Sequence, residues 1–278
     1  EAQITAQTEL NGPNDYAVPV IKVEDPEGNL KAILFGYACH PTVLSDYKIS
    51  GDYVGFAQME LEKIYPGTTA LFFQGAGADQ NPLPRRSVAL AQQYGKELAA
   101  AVERVVNEDM KVLEGNLSTA YSEIDLKFAK AVPTREELED IISGETPGYP
   151  NYLKENAKVL VSRLNNGEHL KSTYPYPVQV WKLGDQAIFA LGGELLVGYS
   201  LELKKIFGPD IFVMGYSNDV MGYIPTKMVL SEGGYEANRS PYLTSQWAAS
   251  IEDDILYEAT KLAENVGIQT IAYPLISP

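Results

Sequence analysis

Short apolar runs separated by turn residues recur along the chain and predict β-strands. The runs "YAVPVIKVE" and "KAILFGYA" are rich in β-forming residues and are joined by "DPEGN", so they predict a hairpin. A second hairpin is predicted from "PVQVWKL" and "QAIFALGG", which meet at a Gly-Asp turn. Three further strands are predicted from "TALFFQ", from "LSTAYSEIDLKFAKA" with its alternating polar face, and from "DIFVMGYS".

Other parts of the chain carry apolar residues at helical spacing. "SVALAQQYGKELAAAVERVVNE" predicts a long helix, and residues 133–167 predict two more polar helices. Thr134 and Glu137 have the spacing of a capping box, and Gly167 ends the second of these helices. "LTSQWAASIEDDILYEATKLAENV" predicts a C-terminal helix that ends near Gly267.

Strands and helices are mixed throughout the chain, which predicts an α/β fold. We expect a mixed β-sheet core flanked by helices, with residues 1–278 forming a single domain. The sequence contains no internal repeat, low-complexity tract or linker that would divide it. The 45% hydrophobic content is sufficient for a large core.

Charge and composition narrow the classes of partner. The formal net charge is −15, and so acidic a chain repels a phosphate backbone, which argues against a nucleic-acid partner. No apolar stretch reaches the roughly 20 residues that a transmembrane helix needs. A single cysteine excludes an internal disulfide framework and a Cys-rich zinc site.

Polar residues follow four of the predicted strands, at the point where each strand ends. In an α/β sheet, ligands bind outside the carboxyl ends of the strands, so these residues converge if the strands lie side by side and mostly parallel. The residues concerned are His40, Asp79, Asn81, Glu194, Ser217, Asn218, Asp219 and Tyr223.

His40 and Glu194 each admit two interpretations. His40, which Pro41 follows, is either a metal ligand or general base, or a loop histidine that hydrogen-bonds a carbonyl group. Glu194 is either a metal ligand or a carboxylate at a helix N-terminus, where it would satisfy N–H groups. We interpret Cys39 as a small buried hydrophobic residue and His169 as a solvated side chain.

Several common catalytic motifs are absent from the sequence. There is no G-x-S-x-G, no H-E-x-x-H, no P-loop and no dinucleotide fingerprint. The stretch "GAGADQ" is a Gly-rich turn of low specificity. A serine hydrolase is therefore not supported.

The order and spacing of the strand-end motifs resemble the neutral/alkaline non-lysosomal ceramidase family. The resemblance covers residues 15–265, nearly the whole chain. The motifs that carry it are "YACHPTVL", "ISGDYVGFA", "LFFQGAGADQNP", "GGELLVGYSLELKK", "VMGYSNDVMGYIPT" and "GGYEANRS".

The resemblance implies a zinc-dependent amide hydrolase. It implies that His40, Glu194 and Tyr223 bind Zn²⁺ and that Tyr235 contacts the reacting group. Imidazole, carboxylate and phenol groups suit Zn²⁺, and an open coordination position would hold an activated water. Asp79 and Asp52, the latter in the "SGD" segment, would orient the ligands.

This chain departs from the family pattern at three places. The family has another zinc histidine upstream of "ACHP", but no histidine precedes His40 here, which indicates either an N-terminally incomplete or a divergent member. Asn81 occupies the position of the serine in the family's "GDVSPN" loop, so it can donate a hydrogen bond to an oxyanion but cannot act as a nucleophile. Gly234 replaces an arginine, and we expect no β-sandwich tail.

These observations lead to one principal hypothesis and two alternatives. The principal one is a zinc-dependent hydrolase, secreted or periplasmic, that cleaves an amide bond of a small-molecule or lipid substrate with a metal-activated water. Asn81, Asp79 and Tyr235 would be its catalytic residues. The alternatives are a non-catalytic binding or structural domain with an incomplete metal site, and a metal-independent acid/base enzyme that uses His40 and Asp79.

Overall fold

The computed structural model describes residues 12–144, 151–238 and 246–271. In these ranges the chain alternates strands with helices, as the sequence pattern predicts. None of the helices in the described ranges is both long enough and apolar enough to cross a bilayer.

Seven of the nine strands in the described residues match predicted ones, and the two-residue strands Glu194–Leu195 and Tyr223–Ile224 were not predicted. Both predicted hairpins are present, and the strand that follows the first hairpin is parallel to its second strand. The strands are β1 (Val20–Glu24), β2 (Leu30–Tyr37), β3 (Thr69–Gln74), β4 (Leu117–Lys127), β5 (Thr173–Leu183), β6 (Gln186–Leu191), β7 (Glu194–Leu195), β8 (Phe212–Met214) and β9 (Tyr223–Ile224).

The strands form separate sheets, not the one mixed sheet that was expected. A three-stranded sheet has the order β1-β2-β3, a four-stranded sheet has the order β4-β5-β6-β8, and β7 pairs with β9. The two larger sheets meet at an isolated bridge between Gly75 and Met214. Each of the two larger sheets contains parallel and antiparallel pairs, so the prediction of a mixed α/β architecture is correct.

Helices cover the two larger sheets. The capping box of Thr134 and Glu137 is present, and Gly167 adopts a left-handed backbone after the next helix. The first helix and the six-residue helix Lys227–Glu232 were not predicted. The helices are α1 (Asp52–Ile64), α2 (Val88–Val106), α3 (Arg135–Ser143), α4 (Asn151–Asn165), α5 (Val197–Phe207), α6 (Lys227–Glu232) and α7 (Ile251–Asn265).

The C-terminal helix starts later than the sequence pattern predicts. It begins at Ile251, because Trp247 forms a β-bridge with Phe128 and stacks its ring on that phenylalanine at a centroid distance of 5.0 Å. The predicted helical residues 243–245 lie outside the described residues. Packing of the tryptophan therefore outweighs the helical spacing of its neighbours.

Two hydrophobic cores flank the place where the sheets meet. One core packs α1 and α2 against β1–β3 through residues such as Phe35 and Leu61. The other packs the remaining large helices against β4–β6 and β8 through residues such as Phe189 and Trp247. The loops that follow the strands are thus fixed from both sides.

Candidate active site

The carboxyl ends of four strands converge where the two larger sheets meet. β2 is parallel to β3, and β6 is parallel to β8. The Gly215 N–H donates to the Gln74 carbonyl across the junction (3.0 Å), immediately after β8 and at the end of β3. The predicted convergence of the strand ends is therefore correct.

The loop after β3 connects the segments that carry His40 and Glu194. The His40 N–H donates to the Gln80 carbonyl (2.9 Å), and the Ala78 N–H donates to the Leu195 carbonyl (3.1 Å). Gly77 allows this close approach, since a Cβ there would lie 2.3 Å from the Ala38 carbonyl carbon. The Gly-rich turn thus serves backbone packing.

Both ring nitrogens of the His40 imidazole lie within hydrogen-bond distance of another group. Nε2 lies 2.8 Å from the Ala78 carbonyl oxygen, and because a carbonyl only accepts, Nε2 carries a proton. Nδ1 lies 3.2 Å from the Tyr216 hydroxyl. The side chain is 13% exposed, so the ring has a defined orientation and limited contact with solvent.

Glu194 faces this imidazole from the two-stranded β7–β9 sheet. Its Oε2 atom is 3.8 Å from His40 Nε2, and its side chain is 24% exposed. The sequence context of Glu194 suggested that it opens a helix, but it does not. It lies in β7, paired with Tyr223 of β9, and α5 begins only at Val197.

Asp79 takes the helix-capping role that one of the two interpretations gave to Glu194. Its Oδ1 accepts the Val197 N–H of α5 (2.9 Å), while the Leu196 N-cap residue makes no side-chain cap. A carboxylate at this position is favourable to the helix dipole. Asp79 therefore fixes the start of α5, and with it the strand that carries Glu194.

Two tyrosines line the open side of the pair. The Tyr223 ring centroid lies 6.4 Å from that of His40 and 5.4 Å from that of Tyr235. Burial raises the pKa of Tyr223 well above its ordinary value, and the nearby, hydrogen-bonded Glu194 carboxylate adds to the shift. Tyr235 is 55% exposed and lies at the rim of the site.

Tyr216 is the residue that sequence reasoning missed. Its hydroxyl contacts His40 Nδ1 (3.2 Å) and Glu194 Oε2 (3.3 Å). Its backbone is left-handed, with φ of 55°, which costs a non-glycine residue about 1 kcal/mol or more. A tyrosine between a glycine and a serine carries no signal of this role in the sequence.

Asn81 lies on the outer part of the loop after β3 and is exposed. Its Oδ1 accepts from the Thr42 hydroxyl (2.9 Å) and from Arg85 Nη1 (3.0 Å). Because arginine only donates, the amide oxygen faces Arg85, and the amide NH₂ group remains the donor for any oxyanion role.

Asp52 fixes the backbone that follows His40, and Cys39 immediately precedes His40 in the chain. The buried Asp52 carboxylate accepts the N–H groups of Val43 (3.2 Å), Leu44 (2.7 Å) and Tyr53 (2.7 Å). Burial raises the pKa of the Cys39 thiol to about 12, which agrees with the interpretation of this residue as unreactive.

Three of the strand-end residues make hydrogen bonds to groups other than His40 and Glu194. The Ser217 hydroxyl donates to the Gly215 carbonyl, Asn218 donates to Gln179, and an Asp219 carboxylate oxygen accepts from the Tyr174 hydroxyl (2.8 Å). These residues shape the loop after β8. His169 is exposed, as predicted, on the segment after α4.

The donors near His40 are of mixed type. Across residues 12–144, 151–238 and 246–271, no three His, Cys, Asp or Glu side chains are grouped so as to hold a metal ion. One imidazole and one carboxylate are accompanied by phenol groups.

Solved structures of known function match the chain over most of its length. The structure of neutral ceramidase from Pseudomonas aeruginosa matches with a TM-score of 0.62 and 17% identity, over 93% of this chain and 48% of that one. A ceramidase complexed with C2 matches with a TM-score of 0.66 and 16% identity, over 93% of this chain and 49% of that one.

The sequence comparisons add no closer relative: no protein-family model and no curated protein matches the chain. The chain spans about half the length of the ceramidases that it matches. At this identity the likeness concerns the fold, and the resemblance inferred from the sequence motifs is confirmed at that level: the chain has a ceramidase-like α/β fold.

Proposed function

We propose that this chain carries the metal-binding part of a zinc-dependent hydrolase that cleaves an amide bond. The observation that carries the proposal is the approach of His40 Nε2 to Glu194 Oε2 (3.8 Å) at the converging strand ends. The ceramidase-like fold supports it, since the two solved structures named above are ceramidases. An N-acylated amphiphile is the substrate class that this likeness favours, and a secreted or periplasmic location remains part of the proposal.

The spacing of the two donors fits a shared Zn²⁺ ion. Zinc–nitrogen and zinc–oxygen bonds together span at most about 4.3 Å, which exceeds the 3.8 Å between Nε2 and Oε2. Tyr223, which is hydrogen-bonded to the same carboxylate, supplies a third donor. Loading would require Nε2 to lose its proton and its contact with the Ala78 carbonyl.

A bound Zn²⁺ ion would polarise the scissile carbonyl and lower the pKa of a water molecule. The protein's own residues would do the rest. Glu194 accepts hydrogen bonds from two phenols, Tyr216 and Tyr223, which would hold its carboxylate in place. Tyr235, at the exposed rim, and the Asn81 amide would donate hydrogen bonds to the developing oxyanion.

Asp79 and Asp52 would act as positioning residues. Asp79 caps α5 through the Val197 N–H, and Asp52 fixes the backbone of residues 43–44, which follow His40. Neither carboxylate contacts the His40 ring in the hydrogen bonds of the described residues. Both carboxylates bind only to backbone N–H groups in these contacts. Their proposed role is to hold the segments that carry His40 and Glu194 at a fixed distance from each other.

A second candidate function is a non-catalytic binding domain that retains this fold. Asn81 favours it, because asparagine stands where the family pattern has a serine, and its amide oxygen is already bonded to Thr42 and Arg85. In that case His40 and Glu194 would form a polar recognition site rather than a metal site.

Turnover in the presence and absence of zinc distinguishes the two candidates. The purified chain would be assayed against a panel of fluorogenic N-acyl amides, with zinc added and then removed by a chelator. We expect turnover that the chelator abolishes and that Glu194→Gln reduces at least about 100-fold. Zinc-independent binding of the amides without turnover would support the second candidate instead.

A further inference from the structure

Tyr216 joins the two residues on which the proposed site depends, although they come from different sheets. Its hydroxyl lies 3.2 Å from His40 Nδ1 and 3.3 Å from Glu194 Oε2. His40 follows β2 of the three-stranded sheet, whereas Glu194 lies in β7 of the two-stranded sheet, just after β6 of the four-stranded sheet. The phenol thus spans the junction between the sheets.

The backbone of Tyr216 is what directs its ring into the site. A left-handed conformation is unfavourable for a bulky residue, and it persists only where the surroundings enforce it. Here the Tyr216 N–H donates to the Gly193 carbonyl (2.8 Å), and the next N–H, from Ser217, donates to the Leu191 carbonyl (3.0 Å). The loop after β8 is therefore held in the strained form by the segment that leads to Glu194.

The hydroxyl completes the bonding of the imidazole. With Nε2–H donating to the Ala78 carbonyl, a neutral ring leaves Nδ1 as an acceptor, and Tyr216 is the donor that faces it. The hydroxyl has one proton, which it donates in a hydrogen bond either to Nδ1 or to Glu194, and it lies within hydrogen-bond distance of both groups. Without it, the ring would lose its contact at Nδ1.

We infer that Tyr216 is a positioning residue, which fixes the orientation of His40 relative to Glu194 for cation binding at the proposed site. The inference rests on the proposed function as far as zinc is concerned. The orientation of the imidazole, however, is a property of the metal-free chain and can be measured without zinc.

The test removes the hydroxyl and keeps the ring. Tyr216→Phe is compared with Tyr121→Phe, which also removes a hydroxyl that donates to a carboxylate (Glu123, 2.8 Å) but lies on β4. Zinc affinity is measured by competition with a chromophoric chelator. We expect Tyr216→Phe to bind zinc about 10- to 100-fold more weakly and Tyr121→Phe to bind as the wild type does.

A second readout needs no metal. The chain has two histidines, so ¹⁵N-labelled histidine gives two sets of ring signals, which a His169→Gln variant assigns. We expect Tyr216→Phe to change the His40 ring ¹⁵N shifts and to leave those of His169 unchanged. If the wild type binds no zinc, the proposed function fails, and these shifts alone decide the role of Tyr216.

Unchanged zinc affinity together with unchanged His40 ring shifts in Tyr216→Phe would overturn the inference. If the phenylalanine variant does not fold, as judged by its Tm, Tyr216→Asn takes its place, because asparagine tolerates the left-handed backbone. The same two readouts and the same outcomes then apply to the asparagine variant.

Discussion

The two histidines of the chain differ in their exposure to solvent and in the contacts of their rings. His40 lies at the junction of two sheets, with a side chain that is 13% exposed and with both ring nitrogens bonded. His169 is exposed, on a turn after α4, beside an ion pair between Arg163 and Glu168 whose side chains are 43% and 47% exposed. The same side chain is thus oriented in one region and solvated in the other.

The difference lies in the backbone around each histidine. Buried carboxylates and close-packed glycines fix the segments next to His40, whereas surface side chains surround His169. An ordered imidazole loses little entropy when it binds a ligand, but a solvated one must first be ordered. Disturbing the backbone should therefore affect the His40 region far more than the His169 region.

The largest effect is expected from a methyl group at Gly77. A Cβ there would lie 2.3 Å from the Ala38 carbonyl carbon and 2.5 Å from the Cys39 nitrogen, so the backbone before His40 must move. Gly77→Ala should lower the free energy of unfolding by about 3 kcal/mol and weaken zinc binding.

The matched substitution in the His169 region is Gly167→Ala. Gly167 has no atom within 4 Å of its Cβ position but has φ of 81°, so only the left-handed strain of about 1 kcal/mol is expected. Both values come from urea unfolding. Equal losses at the two glycines would contradict the contrast between the regions.

An intermediate effect is expected at Asp52. Asp52→Asn keeps the size of the side chain and tolerates φ of 53°, but it replaces one of the oxygens that accept the N–H groups of Val43, Leu44 and Tyr53. A loss of about 2 kcal/mol in the free energy of unfolding should follow. The matched change Glu168→Gln, in the exposed ion pair, should cost under about 1 kcal/mol. A smaller loss at Asp52 than at Glu168 would refute this explanation.

The smallest perturbation is chemical and leaves the sequence unchanged. Because the pKa of Cys39 is raised to about 12, the thiolate population in the folded chain is small at pH 8 and grows as the pH approaches that value. Alkylation by iodoacetamide at pH 8, followed by mass spectrometry, should be at least about 100-fold slower in the folded chain than in urea. Similar rates in both states would show that this region is open.

Most of the strands and helices could be predicted because their patterns are local. The hairpins, the capping box and the strand-end position of His40 all follow from neighbouring residues. The division into separate sheets could not be predicted, since it depends on the Gly75–Met214 bridge between distant segments. The late start of α7 depends in the same way on Trp247 stacking against Phe128.

The sequence could indicate which strand-end residues lie near one another, but not the contacts that they make. The strand-end motifs pointed to His40, Glu194 and Tyr223, which the structure brings together. The helix cap at α5 is made by Asp79 rather than Glu194, because a loop distant in sequence reaches that helix. Tyr216 was not predicted as a site residue, because its position depends on a left-handed backbone that the neighbouring sequence does not predict.

Zinc binding by matched histidine variants tests the central claim most directly. Wild type, His40→Ala and His169→Ala would be titrated with zinc against a chromophoric chelator, with folding checked by Tm. The account predicts that His40→Ala weakens zinc binding at least about 100-fold and that His169→Ala binds zinc as the wild type does. Undiminished binding by His40→Ala, or a loss confined to His169→Ala, would contradict it.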